Sequence, residues 1–299
     1  MKNLSVSTSG YSQDCTISNY MRRIKNAGYD AVDFDLYDYY DRIMQPDWES
    51  WANNVYKAIK EAGLIVAQTH AQLGLYASSD LSYEPPAEIF YRNITINAIL
   101  GCKEIVFHPV LYADIVETES LYEKLVEYNI RWFRKLAELA KSLEVHINIE
   151  NTCDVRSQKL TAPFTRASDM MELIKGINEP SFGICLDTGH AHIMSQNIPE
   201  MIRIFDTRLR TLHLNDNLGQ ITPIHSDQHF FPGVGTIDFP SIFDALTEIN
   251  FAGAINLEPG QFLTRLPINV RDAAMAGGAL IARAYMGGIA RDRQNKTAH

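Results

Sequence analysis

Eight times along this chain a short apolar run rich in β-branched residues is followed by a longer segment of helical periodicity. The runs are LSVST near residue 5, AVDFDL from Ala31, LIVAQTH to His70, EIVFH to His108, HINIE to Glu150, GICLD to Asp187, TLH to His213 and AINLE to Glu258. Runs this short, bounded by turn residues, read as strands buried on both faces. Helices are expected over 17–27, 48–62 and 87–100, closed by Gly28, Gly63 and Gly101, and then over about 119–143, 167–177, 198–206 and 239–249. In the fourth of these Leu125, Trp132, Leu136 and Leu139 form the buried face. A last helix is expected from about Asn269 to Tyr285. Eight such units with no linker between them match a closed parallel barrel better than an open sheet. The Gly-rich phosphate-binding turn of a dinucleotide fold is missing after the first strand. The expectation is one α/β domain, a single (β/α)8 TIM barrel over residues 1–290, followed by a polar tail at 291–299 that frays.

In such barrels the active site lies at the C-terminal ends of the strands, and six of the eight runs here end in a residue able to bind a metal. A carboxylate or imidazole at the end of a buried strand is costly unless paired or coordinated. Glu150, Asp187, His213 and Glu258 end four consecutive strands, so their side chains can converge on one cation. Three carboxylates and an imidazole suit a borderline or hard divalent ion such as zinc, manganese, cobalt or magnesium. His70 and His108 lie beside Glu150 in barrel order and are placed to hold a second ion with it. A third group is His190, three residues after Asp187, with Asp227 and His229 in the loop after strand seven. The cofactor expected is therefore a divalent metal, one to three ions.

The chain of 299 residues is 46% apolar and 21% charged, an ordinary composition for a globular protein able to bury a substantial core. No run has the length of a membrane helix, and MKNLSVSTSG lacks the apolar stretch of a signal peptide, so no membrane is expected as a partner and a cytoplasmic location is. Cys15, Cys102, Cys153 and Cys185 are scattered, with no CxxC pair, and read as reduced structural residues. With 27 Lys and Arg against 36 Asp and Glu, a net charge of −9, an extended nucleic-acid surface is disfavoured. Bound divalent cations would offset part of that charge and leave room for a local basic groove.

Several segments are similar to a known family: IENT through Glu150, LDTGHAH around Asp187 and His190, HLND from His213, DQHFFPGVGTIDF from Asp227 and LEPG around Glu258. Over nearly its whole length the chain resembles the xylose isomerase-like TIM barrel superfamily. That superfamily holds sugar and sugar-phosphate isomerases and epimerases, inosose dehydratase-like enzymes and the type IV apurinic endonucleases. The resemblance implies Glu150, Asp187, His213 and Glu258 as the common metal ligands. The full endonuclease-type cluster would add His70, His108, His190, Asp227 and His229, and each of those positions is filled. Two departures stand out. Ketose 3-epimerases carry a substrate-contacting arginine shortly after the strand-seven histidine, where this chain reads HLNDNLGQ. The loops also lack an evident cluster of basic and aromatic residues for opening a duplex, although Tyr37, Tyr39, Tyr40 and Trp48 are placed to form an aromatic wall. The PGVGTIDF segment resembles the sugar-isomerase branch more than the nuclease branch.

Three functions are consistent with these residues. The first is a metal-dependent isomerase or epimerase of a small sugar, polyol or sugar phosphate. Glu150 and Glu258 face each other across the mouth, one removing a proton beside a carbonyl and the other returning it, with the metal stabilising the enediolate. His190 binds a hydroxyl or relays a proton, and Arg156 and Arg265, in loops after strands five and eight, hold a substrate phosphate if they are not simply solvated; Lys159 is a similar case. The second is a tri-zinc phosphodiesterase or apurinic endonuclease-like hydrolase. The third binds metal and sugar without turnover, and Glu258→Gln would then change little beyond metal affinity. His146, His192 and His225 fit no cluster and read as structural. The expected partner is a small sugar-like molecule, with self-association into a homo-oligomer left open.

Overall fold

The computed structural model describes residues 2–11, 15–73, 76–77, 81, 85–112, 119–153, 163–220 and 227–296. Eight parallel strands form one sheet: β1 (Leu4–Ser7), β2 (Ala31–Asp35), β3 (Ile65–His70), β4 (Glu104–Phe107), β5 (His146–Glu150), β6 (Phe182–Asp187), β7 (Leu209–His213) and β8 (Ile255–Leu257). The order is sequential, with β8 beside β1. Leu214, just past β7, bridges Leu257 of β8: its amide donates to Asn256 O at 2.9 Å, and the Glu258 amide donates to Leu214 O at 3.2 Å. The ring thereby closes, and the expected barrel is observed.

Eight helices follow the strands: α1 (Ile17–Asn26), α2 (Trp48–Glu61), α3 (Ala87–Ile99), α4 (Glu119–Ser142), α5 (Ala167–Ile177), α6 (Ile198–Phe205), α7 (Phe239–Glu248) and α8 (Ile268–Lys296). Each amphipathic helix buries one stripe against the strands. In α4 that stripe includes Leu125, Trp132 and Leu136, with Leu139 partly buried at its edge. Trp132 packs edge-on against Phe90 of α3, with ring centroids 5.1 Å apart, and Phe107 of β4 completes the cluster. Each large apolar side chain so buried contributes about 1.5–3 kcal/mol. No helix among the described residues is long and apolar enough to cross a membrane.

Helix α8 runs to Lys296, past the end expected near Tyr285. GGIARDRQNK holds no proline, and each glycine costs a helix only about 1 kcal/mol relative to alanine. Polar composition alone therefore does not stop a helix. The loops also carry short elements that the periodicity does not announce, among them helices at Thr188–Ile193 and Gly260–Thr264 and a parallel pair, Tyr76–Ala77 with Leu111–Tyr112.

Candidate metal centre

Parallel strands in register bring their C-terminal ends to one rim, and there the structure collects the residues that the strand ends single out. Asp187 pairs with His213 across β6 and β7, and Glu150 sits two residues lower in the register, opposite Cys185. One ligand atom each from Glu150, Asp187, His213 and Glu258 lies within 4.8 Å of the others, and a second such group joins Glu150 to His70 and His213.

Glu150 is the hub. Its Oε2 lies 3.2 Å from His70 Nε2 and 3.1 Å from His108 Nε2, while its Oε1 lies 3.0 Å from His213 Nδ1 and 3.5 Å from His190 Nδ1. Burial pushes the Glu150 carboxyl up, yet His213 and His108 hold it well below the usual carboxylate range. Glu258 differs. It opens onto the cavity, its Oε2 is 3.7 Å from His213 and 3.4 Å from His229, and burial pushes it up to about 8 against those two imidazoles. Sequence reasoning sets the two glutamates face to face across the mouth; in the structure their metal-facing oxygens share one floor, because His213 stands between them.

The chemistry of the donor set fits a metal. His70 Nδ1, His190 Nδ1 and His229 Nδ1 each point at a backbone carbonyl, of Ala71, Asn151 and Glu258, all at 2.9 Å. A ring that donates there keeps its Nε2 lone pair for a ligand. His213 is reversed: Nε2 faces Asp33 Oδ2 at 3.1 Å, while its Nδ1, 3.0 Å from Glu150 Oε1, makes no well-aligned hydrogen bond among the described residues, and neither does the buried Asp227 Oδ1. A metal-bound histidine characteristically donates its second nitrogen to a carbonyl or carboxylate in this way. Asp187 is held by the Asn215 amide at 2.7 Å and caps the short helix that carries His190, accepting from the His190 amide at 2.6 Å.

His70, His108, His190, Asp227 and His229 all border the same cavity of about 220 Å³ above this floor. Asp227 and His229 pair at 2.9 Å; burial is outweighed by Asp227, which raises His229 to about 10. Of the aromatic wall only Tyr37 reaches the cavity, edge-on to His70 at 5.2 Å. Tyr39 stacks on Phe34, Tyr40 is exposed, and Trp48 lies beneath Arg92. Arg265 is exposed at the end of the Gly260–Thr264 helix and is not among the residues that line the cavity. Arg156, Lys159 and His225 lie outside the described residues. His146 pairs with Glu104 at 2.9 Å beside a larger recess, about 460 Å³, which holds none of these donors, and His192 meets Thr236 at 2.8 Å.

Sequence reasoning misses the shell beneath the donors. Asp33 Oδ2 accepts from Gln68 at 2.9 Å and Asn256 at 3.0 Å as well as facing His213, tying β2, β3, β7 and β8 together inside the barrel. Asp33→Asn is expected to weaken metal binding by about 10–100-fold with the fold kept, because His213 loses the charged acceptor that orients it and raises its basicity. Competition with a chromophoric chelator measures this, and an unchanged affinity would remove Asp33 from the metal centre.

Residues 21–272 match the sequence profile of the xylose isomerase-like TIM barrel. A ketose 3-epimerase of Arthrobacter globiformis is 24% identical over 245 residues, 80% of this chain and 75% of that protein. A probable endonuclease 4 of Mesomycoplasma hyopneumoniae is 24% identical over 237 residues, 76% and 80% of the two chains. Among solved structures, the IOLI protein with a bound zinc atom superimposes with a TM-score of 0.73 at 17% identity, over 95% of this chain and 98% of that one.

Proposed function

Because the chain belongs to the xylose isomerase-like TIM barrel family, whose members similar to it include sugar epimerases and isomerases, we propose that it is a divalent-metal-dependent isomerase or epimerase of a small sugar or polyol. The observation that carries this reading is the cavity. At about 220 Å³ it is below the ~300–1,000 Å³ of ordinary ligand pockets, and among the described residues no lysine or arginine lines it. Such a space suits a small, neutral, polyhydroxylated molecule.

A divalent ion held by Glu150, Asp187, His213 and Glu258 would supply a Lewis acid for a carbonyl and its neighbouring hydroxyl. The residues divide the rest of the work. Glu258, open to the cavity, takes the proton from the carbon beside the carbonyl as the C–H electron pair moves toward the carbonyl oxygen, and the proton returns when that pair comes back. Glu150 is pinned through both oxygens by imidazoles, so its part is to hold the donors in place. Tyr37 and His70 form a wall of the cavity and exclude water. Incubating the metal-loaded protein with a panel of ketoses and inososes in deuterium oxide is expected to wash deuterium into one carbon beside the carbonyl, and stripping the metal stops the exchange. A panel that never exchanges would sink this reading.

A second reading, hydrolysis of a phosphate ester, draws on one observation: Glu150 presents separate oxygens to two donor groups, as a residue bridging two ions does. Ions about 3.5–4 Å apart suit in-line displacement. Elemental analysis of protein purified without added metal, with His70→Ala and Asp227→Ala variants, separates the two. About three ions, one lost in each variant, favours the hydrolase; a single ion kept in both favours the isomerase.

A further inference from the structure

The metal donors occupy only part of the cavity wall. They stand at the ends of β3 round to β8, from His70 to Glu258, and leave the arc above β1 and β2 to Ser9 and Tyr37. Ser9 follows β1, which lies four strands round the ring from β5 and its Glu150. This arc is firmly built. Asp35 Oδ2, at the end of β2, accepts from Ser7 Oγ at 2.7 Å, from Thr8 Oγ1 at 3.1 Å and from the Ser9 amide at 2.6 Å. A Cβ on Gly260 would fall 2.8 Å from both Cβ and Oγ of Ser9, so the turn after β1 packs directly on the turn after β8.

The two side chains of the arc complete each other. Tyr37 lies edge-on to His70 with ring centroids 5.2 Å apart, and its phenol and Ser9 share a side-chain hydrogen bond. An alcohol and a phenol bring two donor protons and several acceptor lone pairs, and the bond between them uses one proton. One O–H and free lone pairs therefore remain for whatever fills the cavity. The opposite wall offers nothing equivalent, because both oxygens of Glu150 face imidazoles and both of Asp187 are engaged by Asn215 and the His190 amide. The arc is uncharged, and the carboxylates of Asp35 and Glu258 both act on the Tyr37 phenol.

We propose that Ser9 and Tyr37 are specificity-determining residues, a paired-hydroxyl anchor that binds a free hydroxyl at the end of the substrate remote from its carbonyl. This rests on the sugar-isomerase reading of the floor and narrows it: the substrate is unphosphorylated at that end. A hydroxyl both donates and accepts, as the Ser9–Tyr37 pair does, so the two match without a buried group left unpaired. A phosphate cannot donate in its ionised form and would bring its charge beside Asp35 and Glu258, and among the described residues no lysine or arginine borders the cavity to offset it. With the carbonyl at the floor and the far hydroxyl at the arc, the substrate is fixed at both ends, which places one of its carbons beside Glu258.

Calorimetric titration of the metal-loaded protein with short unbranched alditols, from glycerol to the hexitols, tests this without turnover. The best-binding alditol is then compared with its terminal deoxy and terminal phosphate derivatives. Loss of the far hydroxyl is expected to weaken binding by about 3–10-fold in the wild type, the value of one neutral hydrogen bond, and by nothing further in Ser9→Ala/Tyr37→Phe. The phosphate should bind more weakly than the parent alditol. Metal content and melting temperature should stay at wild-type values in Ser9→Ala and Tyr37→Phe, which separates lost recognition from lost structure. A deoxy penalty that is the same in the double variant, a phosphate that binds as well as the alditol, or a wild type that binds no alditol overturns the anchor. The isomerase reading is judged separately, by deuterium exchange: alditol binding with the expected penalties but no exchange across the ketose panel sinks that reading and leaves the hydroxyl anchor standing.

Discussion

Glu258→Gln is expected to lower turnover by about 10²–10⁴-fold, the range for removing a general base, while leaving the protein folded. Glutamine keeps the volume of the side chain, removes its capacity to carry the proton and weakens it as a ligand to the metal, so metal content is read alongside turnover. The fold should tolerate it because the metal-free protein already favours the neutral form, with the carboxyl pushed up to about 8 by burial. The sign follows from linkage. A carboxyl whose folded value is raised above its ordinary 4.5 contributes stability that is fully present below 4.5 and lost as pH rises through about 8. Above that pH the metal-free variant should therefore melt higher than the metal-free wild type. Glu150→Gln should behave oppositely. It removes the counter-charge of His70, His190 and His213, and breaking a buried pair costs about 3–5 kcal/mol. Metal at the floor should be lost with it. Melting curves, metal content and deuterium exchange on both variants read all of this, and exchange that persists in Glu258→Gln would move the proton-carrying role elsewhere.

The difference between the two glutamates marks how far the sequence can be read. The barrel is legible because strand and helix periods alternate without interruption, and the donors are legible because aligned parallel strands make every strand end a position on one rim. What stays hidden depends on contacts distant in sequence. Asp33 looks like one polar step in AVDFDL, yet its partners His213 and Asn256 are 180 and 223 residues away. Asp35, two steps on, is raised to about 7 by burial and by Asp33 and accepts from Ser7 and the Ser9 amide, which no local pattern predicts. Cys153 has no CxxC neighbour because the groups around it come from the ends of other strands. Glu150 and Glu258 look equivalent as strand-end glutamates. Only the ring of imidazoles shows that one is held through both oxygens and the other is not.

Metal affinity should rise steeply with pH. In the metal-free protein burial lowers His70, His190, His213 and His229, but the carboxylates around them more than reverse it: Glu150 for His70, Asp187 for His190, Glu150 and Glu258 for His213, and Asp227 for His229, which reaches about 10. Glu258, raised to about 8, also holds its proton at neutrality. A metal requires all of these groups deprotonated, so each ion that binds expels protons. Every proton expelled makes affinity climb about tenfold per pH unit until its group titrates. Between about pH 6 and about pH 8 the floor group should gain at least about 100-fold from one such proton. The rise should slacken above 8 for that group and continue toward 10 for the group containing His229. Because a ligand that binds only the folded state stabilises it by RT ln(1 + [L]/Kd), the gap in melting temperature between loaded and metal-free protein should widen over the same interval. Calorimetric titration in two buffers of different ionisation enthalpy counts the protons directly. Binding that releases none, with an affinity flat in pH, would mean that the imidazoles are already neutral in the metal-free protein and that the carboxylates around them do not govern metal uptake.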